Sequence, residues 1–224
     1  MKNQSEYIEQ LEQTISKFME PLKGIPFHIA IKVVFGQKVL EPDLEDKKDK
    51  ELIEDLSKIA NIAGRNTKKD GIFRSRPNEV GNDIEPYVRE ALRGIGIIAD
   101  IPERSDGKKQ AVGYPDIYFK DRFGRHVYLE CKTYNRKNIG TTQRSFYFSP
   151  PPEKNKSKVI YDAYHLVVAY EIEETRREGK RCYIPVAWKV VSLYSAKIDV
   201  KHEFNANNKD LYKEKAILAE GGIE

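Results

Sequence analysis

The sequence predicts an α/β (α+β) fold, a mixed central β-sheet flanked by helices and preceded by a mostly helical N-terminal region. Two patterns predict it. Apolar residues recur at helical spacing in three segments of the first 94 positions, and β-branched or alternating runs dominate from 95 to 194. A third observation bounds the size: 224 residues, 39% hydrophobic and 10% aromatic, suffice for one domain, or one domain with a helical annex. Wholesale disorder is excluded.

Residues 4–22 place Tyr7, Ile8, Leu11, Ile15, Phe18 and Met19 on a helical stripe that Pro21 ends. HIAIKVVFG (28–36) fits a strand or a buried helix, and EPDLEDKKDK (41–50) reads as a charged connector. Residues 51–64 form a helix striped by Leu52, Leu56, Ile59 and Ile62, with Gly64 as its C-cap. A helix over 81–94 follows, capped by Asn82 or Asp83, with Pro86 in its first turn and Gly94 closing it. Strands are expected at 95–100, 115–120, 125–134, 145–149, 165–173 and 181–194. The expected organisation is a helical region over 1–75, suited to dimerisation, and a core over 76–224 that carries the chemistry.

No apolar run approaches the roughly 18 residues needed to cross a bilayer. The first ten residues lack the apolar stretch of a signal peptide, so the expectation is a cytoplasmic protein with no membrane partner. Cys131 and Cys182 lack the spacing of a zinc site or a disulfide framework. Net charge is only +4, but it is unevenly spread. Residues 132–158 carry seven cations against Glu153, and residues 65–76 carry five against Asp70. Two basic patches on a mildly acidic body suit a polyanion bound on one face.

The informative stretch joins Pro115-Asp116 to Glu130-Cys131-Lys132. Read as a hairpin turning in DRFGR (121–125), with Gly124 as the turn residue, it pairs positions whose numbers sum to 246. Asp116 then faces Glu130. Side chains alternate along a strand, so Lys132 shares Glu130's face and Cys131 points away. Facing Cβ atoms lie about 4.5–5.5 Å apart, close enough for two carboxylates to share a Mg²⁺ ion at about 2.1 Å from each oxygen. Such a cation relieves carboxylate repulsion and activates water, while Lys132 orients that water or stabilises a phosphorane-like transition state. Metal-assisted phosphodiester hydrolysis uses all three groups. The competing reading is a solvated cross-strand ladder of ordinary charges.

These residues, Pro115-Asp116 and, after thirteen intervening residues, Glu130-Cys131-Lys132, resemble the signature of the PD-(D/E)XK nuclease superfamily. The element order over about residues 80–194 is also similar: a helix, a three-stranded meander and a later strand. The resemblance implies a restriction-endonuclease-like core, with Asp116 and Glu130 as metal ligands and Lys132 as the catalytic lysine. It further implies the Cys131 backbone carbonyl as a ligand and an additional acid from the preceding helix, where Glu85 stands. An acid early in a helix is favoured by the macrodipole whatever its function, and Asp83 is the competing candidate.

Past Lys132, the segment to 158 mixes cations with hydrogen-bonding side chains. Asn138, Thr141, Thr142, Gln143, Arg144 and Ser145 are candidate DNA contacts, with Gln143 and Arg144 as base readers. Arg74, Arg76 and Asn78 are candidates for phosphate, and Asn205, Asn207 and Asn208 for a second groove contact. An ordinary polar loop is the competing reading for each. The expected function is that of a Mg²⁺-dependent type II restriction endonuclease, a homodimer acting on double-stranded DNA, with 4–22 and 51–64 as dimer contacts. The alternatives are a structure-selective repair nuclease or junction resolvase, and a non-catalytic DNA-binding module on the same fold.

Overall fold

The computed structural model describes residues 2–18, 22–140, 146–151, 153, 156–201, 215 and 217. The chain divides into two compact units, residues 1–25 with 198–224, and residues 26–197. The helices are α1 (Lys2–Phe18), α2 (Phe27–Phe35), α3 (Lys47–Asp70) and α4 (Val80–Gly94). The strands are β1 (Ile25–Pro26), β2 (Val39–Leu40), β3 (Ala99–Asp100), β4 (Ile117–Lys120), β5 (His126–Tyr134), β6 (Ala163–Arg177), β7 (Lys180–Ser192) and β8 (Lys197–Ile198).

Segment 28–36 resolves as helix: Phe27 and Ile31 of α2 are buried one turn apart, and Gly36 closes it at φ 78°. The predicted connector 41–50 is corrected. Its Asp46 caps α3 by accepting from the Lys48 and Asp49 amides, so the charged run forms a helix start. Gly64 is not the C-cap either. It sits inside α3 because a Cβ there would press on the Tyr170 ring at 3.2 Å, and the Tyr170 hydroxyl donates to the Ala60 carbonyl. The true stop is Gly71, at φ 72°, where a Cβ would lie 2.4 Å from Cys182 Sγ.

The sheet runs β2-β6-β5-β4-β3, and β7 pairs with β6. The β5–β6 and β2–β6 pairs are parallel, whereas β3–β4, β4–β5 and β6–β7 are antiparallel. Strand alternation separates the two faces. Ile117, Phe119, Val127, Leu129, Leu166 and Val168 form one core with Leu52, Leu56 and Ile59 of α3 and Ile84, Val88 and Leu92 of α4. Each such buried side chain contributes about 1.5–3 kcal/mol. Three of the four stripe residues of α3, Leu52, Leu56 and Ile59, are thus covered within the chain, and Ile62 stays exposed.

The opposite parity carries Asp116, Tyr118, Tyr128, Glu130, Lys132 and His165. Here α2 contributes Phe27, whose ring centroid lies 5.5 Å from His165 and 6.0 Å from Tyr114. Phe146 and Phe148 each pack 5.8 Å from Phe27. No strand forms at described residues 146–149. The alternation read there as β structure places two phenylalanines on an aromatic cluster instead.

Candidate active site

The β4–β5 hairpin has the predicted register: Ile117 faces Leu129 and Tyr118 faces Tyr128. Asp121 builds the turn, its carboxylate accepting from the Phe123 and Arg125 amides at 2.9 Å each, and Gly124 takes φ 76°. One step beyond the ladder, Asp116 continues it with its side chain. Asp116 Oδ2 accepts from the Cys131 amide at 2.8 Å, which fixes the carboxylate beside Glu130. Lys132 Nζ meets Glu130 Oε1 at 2.6 Å, on the face that alternation assigns to both.

The electrostatics are those of crowded acids. Burial, then the Asp116 charge, pushes Glu130 up to about 7. Asp116 is also raised by burial, against the opposing pull of the Cys131 amide, Lys132 and Lys158. Burial would lower the Lys132 ammonium, but the charge and hydrogen bond of Glu130 outweigh it and the net shift is upward. Lys132 is therefore a cation at neutral pH, suited to stabilising negative charge rather than abstracting a proton.

Glu85 joins this cluster. The helix starts at Val80, after a 3₁₀ turn that opens on Pro77, so Glu85 lies in its second turn. That position weakens the macrodipole explanation, whose effect fades beyond the first turn. Burial, then the Asp116 charge, lifts Glu85 to about 7. Pro86 correspondingly lies inside the helix and not in its first turn. Neither Asn82 nor Asp83 caps the helix: both lie within it, and Asp83 instead binds Arg74 through two contacts of 2.6 and 2.7 Å.

Glu130 Oε2 is buried without a hydrogen-bond partner. An orphaned carboxylate oxygen beside a second carboxylate fits a bound divalent ion, with Asp116 and Glu130 as holders. Among the described residues, no three His, Cys, Asp or Glu side chains are already gathered as an ion cage. One oxygen of Glu130 is turned to Lys132 and one of Asp116 to the Cys131 amide, so a two-carboxylate set is what the structure offers.

Glu85 also carries a pH prediction. Its folded-state value exceeds the ordinary 4.5, so folding takes up a proton between about 4.5 and 7. The stabilisation from neutral Glu85 is complete at low pH and lost as pH rises through about 7. In metal-free protein, Glu85→Gln should melt like the wild type near pH 5 and a few degrees, about 2–4 °C, above it near pH 8. Scanning fluorimetry at both pH values reads the difference, and the buried His165, lowered to about 3, cancels in the comparison.

Other candidates are less engaged. Arg74 is held by Asp83 and Arg76 is exposed. Thr141, Thr142, Gln143, Arg144, Ser145, Asn205, Asn207 and Asn208 lie outside the described residues, as do the side chains of Asn78 and Asn138. Sequence reasoning missed Lys158. It is buried, donates to the Gly113 carbonyl and feels Asp116, Glu130 and Glu85. Its only signal in the sequence is that the last cation of the Lys154, Lys156, Lys158 run abuts the apolar Val159-Ile160.

Comparison with known proteins gives the family. The family model for the type II restriction enzyme MjaV family matches residues 21–215. The type II restriction enzyme MjaV of Methanocaldococcus jannaschii is 39% identical over 97% of this chain and 98% of its own length. No solved structure matches.

Proposed function

The chain belongs to the type II restriction enzyme MjaV family and is a site-specific deoxyribonuclease; on that footing we propose that it hydrolyses double-stranded DNA at a short sequence with Mg²⁺. The observation that carries the reading is the Cys131 amide bond that seats Asp116 beside Glu130, with Lys132 on the same face. A divalent ion held there supplies Lewis-acid polarisation of the scissile phosphate. The chain's own groups do the rest. The Cys131 amide holds Asp116 in place, and the Cys131 carbonyl joins the ligand set. Lys132, kept charged by Glu130, meets the negative charge that develops on the phosphate oxygens. Glu85, buried beside Asp116, takes up or releases a proton beside the reacting group.

Sequence readout falls to the 138–145 segment, with Gln143 and Arg144 contacting base edges. Arg74, Arg76 and Asn78, with Asn205, Asn207 and Asn208, contribute backbone and groove contacts. No helix among the described residues is long and apolar enough to cross a membrane, and the proposed place of action is the cytoplasm. The test is plasmid DNA incubated with and without Mg²⁺. Discrete fragments whose ends share one sequence and carry 5′-phosphates are expected. Cleavage confined to branched DNA would instead identify a structure-selective nuclease.

The working form is a homodimer joined through α1. Tyr7, Ile8, Leu11, Ile15 and Phe18 lie at helical spacing on it and are 41–67% exposed. An apolar stripe of this kind on a 17-residue helix suits self-association with its symmetry mate. Leu11→Glu should convert a dimer to a monomer in light scattering after gel filtration, and an unchanged mass would rule α1 out.

A further inference from the structure

Lys158 is not a surface lysine that happens to lie near the acids. The segment holding it is buried and fastened on both sides. The Ser157 carbonyl accepts from the Ser105 amide at 2.8 Å, and the Ile160 amide donates to the Tyr128 hydroxyl at 2.9 Å. Tyr128 lies two positions before Glu130 on the same face of β5, so the tether ties Lys158 to the strand that carries the motif. Its ammonium donates to the carbonyl of Gly113, three residues before Asp116, and burial drives its pKa down despite the three acids around it. Burying an ammonium is costly unless negative charge compensates it. Three carboxylates, Glu85, Asp116 and Glu130, share this space with Lys132, while Arg89 acts on Glu85 from the same helix.

We propose that Lys158 is a second positioning cation of the active site, whose ammonium offsets one carboxylate and so sets how strongly the site takes up divalent ions. The proposal rests on the metal-site reading above. It makes opposite demands on two measurements. Removing the charge leaves the acids more negative, so ion affinity rises, while cleavage falls because the loop leading to Asp116 loses its anchor.

The experiment is Mn²⁺ titration of the full-length protein without DNA, read from the electron paramagnetic resonance of free Mn²⁺. Lys158→Met should tighten Mn²⁺ on the order of threefold or more, and slow Mg²⁺-dependent cleavage by about 10–100-fold. Lys158→Arg should keep Mn²⁺ affinity within about twofold of wild type, since it retains the charge. Unchanged or weaker Mn²⁺ binding by the methionine variant overturns the proposal, as does an arginine variant that behaves like methionine. Should the methionine variant fail to fold, the wild type still decides. With ¹³C-labelled lysine, Mg²⁺ should shift the Lys158 Cε resonance, assigned by its loss in Lys158→Arg, and a static resonance overturns the proposal. Asp116→Ala separates the two readings: it should abolish Mn²⁺ binding, and retention would overturn the metal site itself.

Discussion

Asp116→Ala and Lys132→Ala should each slow cleavage of a specific site by at least about 10²–10³-fold, the range lost when one preorganised charge-stabilising group is removed. DNA affinity should stay within a few-fold in both. Phosphate-backbone affinity comes from many Lys and Arg contacts, and one residue contributes little to it. The two variants should also differ from each other. Asp116→Ala frees the Cys131 amide and removes a candidate ion ligand, so raising Mg²⁺ should recover little activity. Lys132→Ala leaves both carboxylates but strips Glu130 of its 2.6 Å partner, so its loss should fall on turnover while the Mg²⁺ requirement does not rise. Fragment yield on a gel and fluorescence anisotropy of labelled duplex read the two quantities. Either variant cutting at the wild-type rate would remove the hairpin from the chemistry.

The largest expected loss of stability lies elsewhere, at Arg125. Its guanidinium meets Asp121 Oδ2 at 2.7 Å and Asp49 Oδ1 at 2.5 Å, and donates to the Tyr164 hydroxyl and the Lys48 carbonyl. Asp49 also accepts from Tyr164 at 2.8 Å and from the Asp43 amide at 2.7 Å. Burial would raise the Asp49 carboxyl, but these hydrogen bonds and the Arg125 charge hold it below its usual value. Asp49 and Asp121 are both buried. Arg125→Ala would leave two buried carboxylates uncompensated, at a cost of about 3–5 kcal/mol. Lysine should recover only part of this, because one ammonium cannot reproduce the forked geometry. Urea midpoints near neutral pH measure both variants. A loss under about 1 kcal/mol for alanine would mean that solvent already serves these acids. Because Asp49 is depressed on folding, its contribution is present above its ordinary value near 3.8 and lost as pH falls below it.

This network shows why parts of the chain were readable and others were not. The hairpin register followed from one turn and strict alternation, both local properties. The helix over 81–94 and the paired acids of 116 and 130 were legible for the same reason. Residues 41–50 looked like a solvated connector because charge is ordinarily solvated. Nothing nearby reveals that Asp49 will be buried against Arg125, 76 positions away. Gly64 looked like a helix stop because glycine's two uses, freedom of φ and absence of bulk, are indistinguishable without the Tyr170 ring that demands the second. Asp83 looked like a cap until Arg74 claimed it. Lys158 was hidden by the same distance, its acids lying 28 to 73 residues back along the chain.

The parallel pairing of β5 with β6 has one more consequence. The chain leaves β5 at Tyr134 and re-enters at Ala163, beside the beginning of β5, so residues 135–162 form an obligatory return path. Nine strand residues extend about 30 Å, whereas 28 residues can reach about 90 Å. The slack is threefold. A connection with that much spare length can be extended without re-threading the β4–β5 hairpin, so the proposed base-reading segment and the proposed cutting hairpin can change independently. Among the described residues, Phe146 and Phe148 on the Phe27 ring and the last few, tied to Tyr128 and Gly113, are fixed in place.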